Sequence, residues 1–171
     1  MAATVDVNIS VGLGEIHVSA DPDAVLICYG LGSCIAVSAF DPVAKVGAMA
    51  HIVLPVSNNG ANALLPAKFA DRGIPLTVEK MEKAGARRSR IVTKIAGGAK
   101  MLHGVKAGSI LDIGERNIVA VQEAMQALGL TIQAQDTRGD WGRCLWLYIA
   151  SGLTRVKTAE QRIIEIGRAH V

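Results

Sequence analysis

Residues 29–55 read YGLGSCIAVSAFDPVAKVGAMAHIVLP, two apolar runs either side of an Asp-Pro pair. Gly30 and Gly32 permit tight or positive-φ backbone just before Cys34 and leave room for a substrate to approach the main chain. Ile35 to Phe40 is rich in β-forming residues, Asp41-Pro42 closes it as a turn, and Val46 to Leu54 is again strand-like with His51 near its end. The two runs are expected to pair as an antiparallel hairpin, which brings Cys34 and His51 together at a strand edge.

A thiol beside an imidazole is a nucleophile pair. The imidazole takes the proton, sulfur attacks a carbonyl carbon, and the imidazolium then protonates the leaving group. Backbone N–H groups at Ser33 and Cys34 would hold the oxyanion. The competing reading is structural: a free cysteine is commonly a small buried hydrophobe, and a single histidine commonly has a packing role.

Upstream, Thr4 to Ile9 alternates, Gly12-Leu13-Gly14 interrupts it, and Ile16 to Ser19 resumes strand character, so a first β-hairpin is expected with His17 pointing outward. Ala24 to Cys28 is the apolar strand that delivers the chain to the glycine-rich loop. Downstream, Val56 to Asn62 reads as a mobile polar loop. Leu64 to Ala84 is amphipathic and helical, with Pro75 expected to start a second helix or kink the first. Ile91 to Ile95 reads as a strand. The Ala96-Gly97-Gly98-Ala99 that follows lacks a phosphate-loop ending and is read as tight packing near the site. Glu115 to Leu128 is the clearest helix, with Ile118, Val121, Met125 and Leu128 on one face and Gly129 as its stop. Leu130 to Gln135 and Arg143 to Ala150 are expected to pair as a hairpin around the loop 136–142. In that loop Trp141 packs or meets a partner, and Cys144 is inert core. The tail, Thr158 to Val171, is compatible with a short helix through Ile163, Ile164 and Ile166.

The 171 residues are most simply one domain, 1–171, with half the residues hydrophobic and a net charge of +3. Arg87, Arg88 and Arg90 form the densest basic group, too short for a nucleic-acid patch and expected on a solvated turn. The three cysteines, Cys28, Cys34 and Cys144, make neither an even disulfide framework nor metal-ligand spacing, which points to a reducing cytoplasm and disfavours a zinc site built from them with one of His17, His51, His103 or His170. No apolar run reaches the length of a membrane span and no leader pattern opens the chain.

The residues Gly30-Leu31-Gly32-Ser33-Cys34, Asp41, Gly47, Ala50-His51 and Leu54-Pro55 resemble the CheD family of chemoreceptor glutamine deamidases. The likeness continues in order through Lys68-Phe69-Ala70-Asp71, Gly85-Ala86, Lys94 to Ala99, Ile113 to Asn117 and Gly142-Arg143. The resemblance implies an α/β fold with a β-sandwich core flanked by helices, similar to the catalytic domain of deamidating toxins. It makes Cys34 the nucleophile and His51 the general base of a protein-glutamine glutaminase that acts, without cofactor, on cytoplasmic helices of methyl-accepting chemoreceptors. It also implies the phosphatase CheC as a partner. Two positions depart from the pattern. The family's third active-site residue is a threonine where this chain has Cys28, a weak hydrogen-bond partner for an imidazole, so a main-chain carbonyl is the expected orienting group. Arg138-Gly139 stands where the family has a Gly-Gly pair. Loss of catalysis with retained binding, or methylesterase action on glutamyl esters by the same residues, are the alternative functions.

Overall fold

The computed structural model describes residues 5–57, 64–159 and 163–167. Its central element is the expected hairpin: β4 (Ile35–Asp41) pairs antiparallel with β5 (Val46–Ile52), with Ala36 opposite His51. Both strands are buried along their whole length, because both faces of their sheet are covered, and that is why they read as near-continuous apolar runs. Ile35, Val37 and Ala39 of β4 and Ala48, Ala50 and Ile52 of β5 face the helices. Ala36, Phe40 and Met49 face a second sheet.

The described strands form two five-stranded sheets. One has the order β2-β5-β4-β6-β7, adding β2 (Ile16–Ser19), β6 (Val92–Gly97) and β7 (Ile132–Thr137) to the central hairpin. The other has the order β1-β3-β8-β9-β10, built from β1 (Val7–Ser10), β3 (Ala24–Leu31), β8 (Arg143–Tyr148), β9 (Leu153–Thr158) and β10 (Ile163–Glu165). One apolar layer, with Leu26, Cys28, Leu31, Leu145, Leu147 and Val156, fills the space between the sheets. A second lies beneath α1 (Ala70–Lys83) and α2 (Ile113–Ala127), with Ile74, Val78, Met81, Ile118, Val121 and Met125. The architecture is the expected sandwich flanked by helices.

Several local expectations change. β1 pairs in parallel with β3 and β2 pairs with β5, so the two N-terminal strands belong to different sheets and form no hairpin. β7 and β8 separate in the same way: β7 runs parallel to β6, β8 antiparallel to β3, and the loop between them crosses from sheet to sheet. In both cases a short connection turns a corner of the sandwich, whose two inner faces need the apolar side of each strand. The tail is strand at Ile163–Glu165, paired with β9, rather than helix. α1 is a single helix with Pro75 inside it. Most of the loop expected at Val56 to Asn62 lies outside the described residues. The Arg88–Arg90 segment is a 3-10 turn, and Arg90 is not free in solvent: its guanidinium bonds Asp41 at 2.7 Å and 3.0 Å. Burial opposes the charge on Asp41. The bonds from Arg90 and from the N–H groups of Arg87, Ala44 and Val43 outweigh it and hold the carboxyl well below the usual range.

At the loop between β7 and β8, the buried Arg143 donates from Nε to Asp136 at 2.9 Å and lies over the half-exposed Trp141 ring. This pair ties the end of one sheet to the start of the other. Arg138 takes a φ of +70° in the same loop, a conformation suited to glycine, and its guanidinium makes a forked pair with Glu115 at 2.8 Å and 2.9 Å.

Candidate active site

Cys34 lies one residue before β4, partly buried against the inter-sheet layer. Its main chain is fixed by close backbone packing. The N–H of Gly98 donates to the Cys34 carbonyl at 2.9 Å, and the N–H of Ala99 to that of Gly32 at 2.8 Å. Gly97, at a φ of +116°, is the point of closest approach, where a Cβ would stand 2.1 Å from the Cys34 carbonyl oxygen. The Ala96-Gly97-Gly98-Ala99 segment therefore packs tightly on the loop that carries Cys34, and only glycine fits at position 97.

His51 occupies the adjacent strand. Continuing the β4–β5 register by one residue sets Cys34 opposite Val53, hence diagonal to His51 on the face toward the second sheet. The imidazole is buried, and its Nδ1 lies 3.2 Å from the carbonyl oxygen of Val11. A carbonyl only accepts, so Nδ1 carries the proton and Nε2 presents a lone pair. That Nε2 is buried and has no partner among the described residues. Burial is the main influence on the ring and lowers its pKa, while the Val11 carbonyl and Glu15 push the other way. Burial also raises the pKa of Cys34. Burial thus favours the neutral form of both groups.

Cys28 is fully buried on β3, opposite Leu145, in the layer that Cys34 borders. Burial first, then the nearby Cys34, Cys144 and Glu15, push its pKa far up, so it is an un-ionised thiol. No hydrogen bond links it to His51; the bond to that ring comes from Val11. Among the described residues, neither the Ser33 nor the Cys34 N–H is taken up by a main-chain or side-chain acceptor. Cys144 lies on the outward, partly exposed side of β8, and His17 is exposed. No group of three or more His, Cys, Asp or Glu among the described residues is arranged to hold a metal ion. No described helix is long and apolar enough to cross a membrane.

Two contributors escape sequence reasoning about side-chain chemistry. One is the Val11 carbonyl, held over the ring by the turn at 12–15, where Gly14 N–H donates to the His51 carbonyl and His51 N–H to that of Glu15. The other is Asn117 on α2, whose amide nitrogen donates to the carbonyls of Ser33 and Val53 at 2.9 Å each.

Comparison with known proteins places the chain in a family. The family profile described as CheD chemotactic sensory transduction matches residues 53–158. A protein of Symbiobacterium thermophilum named "Probable chemoreceptor glutamine deamidase CheD" is 45% identical over 150 residues, 87% of this chain and 91% of that relative. Proteins with the same name from Desulforamulus reducens and Caldanaerobacter subterraneus subsp. tengcongensis are 42% and 41% identical, over 88% and 86% of this chain and 90% and 91% of their own. The profile covers more than half of the chain and each of these relatives more than two thirds of it, so the chain belongs to the CheD family.

Proposed function

We propose that this protein is a glutamine deamidase that hydrolyses side-chain amides on the cytoplasmic helices of chemoreceptors, with Cys34 as nucleophile and His51 as general base. The observation that carries the reading is the state of His51: Nδ1 is committed to the Val11 carbonyl, and Nε2 is a buried lone pair on the face that Cys34 borders. The names of the relatives supply the substrate class.

The reaction follows from these groups. His51 Nε2 takes the thiol proton as sulfur attacks the glutamine amide carbon. The N–H groups of Cys34 and Ser33 receive the oxyanion. The imidazolium gives its proton to the amide nitrogen, the C–N bond breaks, and ammonia leaves a thioester on Cys34. Water then attacks the thioester, His51 takes its proton and returns it to sulfur, and glutamate is released. The Val11 carbonyl takes the orienting place where the family has threonine, and CheC is the expected protein partner.

Mass spectrometry of a receptor cytoplasmic fragment, treated with wild type or Cys34→Ala, tests this. Conversion of glutamine to glutamate by wild type alone, with release of ammonia, is the expected result. Methanol release from a methylated fragment instead would assign an esterase, and binding without turnover would assign a binding module.

A further inference from the structure

We infer that Asn117 is a positioning residue for this reaction, aiming the Cys34 N–H as an oxyanion donor. The inference rests on the reading of Cys34 as nucleophile.

Asn117 lies in the second turn of α2, fully buried, where an apolar residue would pack without polar atoms to satisfy. Both of its contacts are carbonyl oxygens, so the NH2 end of the carboxamide must face them, and each hydrogen is used once. Its Oδ1 is left buried with no partner among the described residues. An unpaired buried acceptor opposes stability. The reason for the residue is therefore sought in what its two donors hold.

They hold the two halves of the site. Ile35–Ile52 is the last paired position of the β4–β5 ladder, and beyond it the strands part. Asn117 sits in that fork, on the residue before Cys34 and on the residue two after His51, with the two carbonyl oxygens roughly 5 Å apart as the shape of a primary amide requires. The Ser33 carbonyl and the Cys34 N–H belong to one peptide unit. That unit is planar and trans, so its oxygen and its hydrogen point in opposite directions. Anchoring the oxygen on Asn117 therefore turns the N–H away from the helix, and this is an N–H with no internal acceptor among the described residues. The Gly98 bond to the Cys34 carbonyl fixes the next peptide plane. Cys34 is thus held between two locked peptide units, one of which presents its donor.

Asn117→Leu keeps the volume and removes both donors. Expected for this variant is a fall in kcat on the order of 10², the size seen when an oxyanion donor is lost, with KM changed by less than about threefold. Alkylation of Cys34 by iodoacetamide, a displacement that forms no oxyanion, should stay within about threefold of wild type across pH. Circular dichroism and thermal melting report whether the variant is folded. Asn117→Ser, smaller and with one donor kept, serves if the leucine variant is not, and its kcat should be intermediate. A folded variant with wild-type kcat, or one in which alkylation falls in step with kcat, overturns the inference. Cys34→Ala separates this from the parent reading: if that variant still deamidates, the nucleophile assignment itself fails. If it is inactive while Asn117→Leu turns over normally, only the role of Asn117 fails.

Discussion

In the proposed mechanism His51 is a base whose proton acceptor faces an apolar layer, and this sets the expected pH profile. The charged ring is disfavoured, so the neutral, active form persists to lower pH than in a free histidine. The acid limb of kcat/KM should have its midpoint below the ordinary value of 6.5, and a midpoint above it would contradict the burial argument. His51→Gln should lower kcat by about 10² to 10⁴ with the limb abolished. Cys28 has the opposite expectation. With Val11 orienting the ring, Cys28→Ala should keep kcat within about tenfold of wild type, no more than one ordinary hydrogen bond is worth. Abolished deamidation by a folded Cys28→Ala would return that residue to the orienting role. That Cys34 and His51 share one hairpin was legible because both arms carry a strong strand pattern. The Val11 carbonyl was not, since a main-chain acceptor has no side-chain signature.

At the level of elements, the corners of the sandwich are where sequence reasoning failed. Two strands joined by a short polar loop look like a hairpin, yet β1–β2 and β7–β8 each divide between sheets. Alternation reports which side of a strand is apolar and says nothing of which sheet supplies its partner. The loop after β7 keeps a left-handed residue where the family has glycine, with the strain of Arg138 offset by its fork to Glu115. Left-handed backbone costs a non-glycine residue about 1 to 2 kcal/mol, and a partly exposed ion pair returns about 0.2 to 1 kcal/mol. Arg138→Gly should therefore be neutral to stabilising by about 1 kcal/mol in urea unfolding. Arg138→Ala, which keeps the strain and loses the pair, should destabilise. The reverse order would remove strain from the account.

For the whole molecule, three layers leave little interior for charge: buried Asp41 and Arg143 each meet an ion partner, whereas the partners of Lys94 are neutral. Its side chain projects from β6 into the inter-sheet space and donates to the carbonyls of Gly152 and Gly167 and the hydroxyl of Thr154. Burial lowers its pKa to about 8 from an ordinary 10.5. Between those values the folded chain has released a proton that the unfolded chain still holds, so this group makes stability rise with pH there. Buried Cys28 works the other way above pH 9, because only the unfolded thiol ionises readily. The stability difference between wild type and Lys94→Met isolates the lysine: it should move in favour of wild type from pH 8 to 10, and a flat difference would sink the argument. The layered architecture was readable from the resemblance and from the doubly buried β4 and β5. The cationic centre was not, because Lys94 lies mid-strand with no carboxylate nearby in sequence to announce a partner.

The clamp on the site also bears on how activity is acquired during folding. Cys34 and His51 are carried by the two arms of one hairpin, a pairing local in sequence. The bonds that on the proposed mechanism make the pair competent span 40 residues from Val11 to His51, 64 from Val53 to Asn117 and 84 from Ser33 to Asn117. Closing such long loops comes late in folding, after local pairings. A partly folded chain therefore holds a thiol beside an imidazole while its histidine tautomer and peptide plane are still unset. Turnover of glutamine becomes an indicator of completed assembly, and immature chains are silent toward receptors even when their cysteine already reacts with a small alkylating agent.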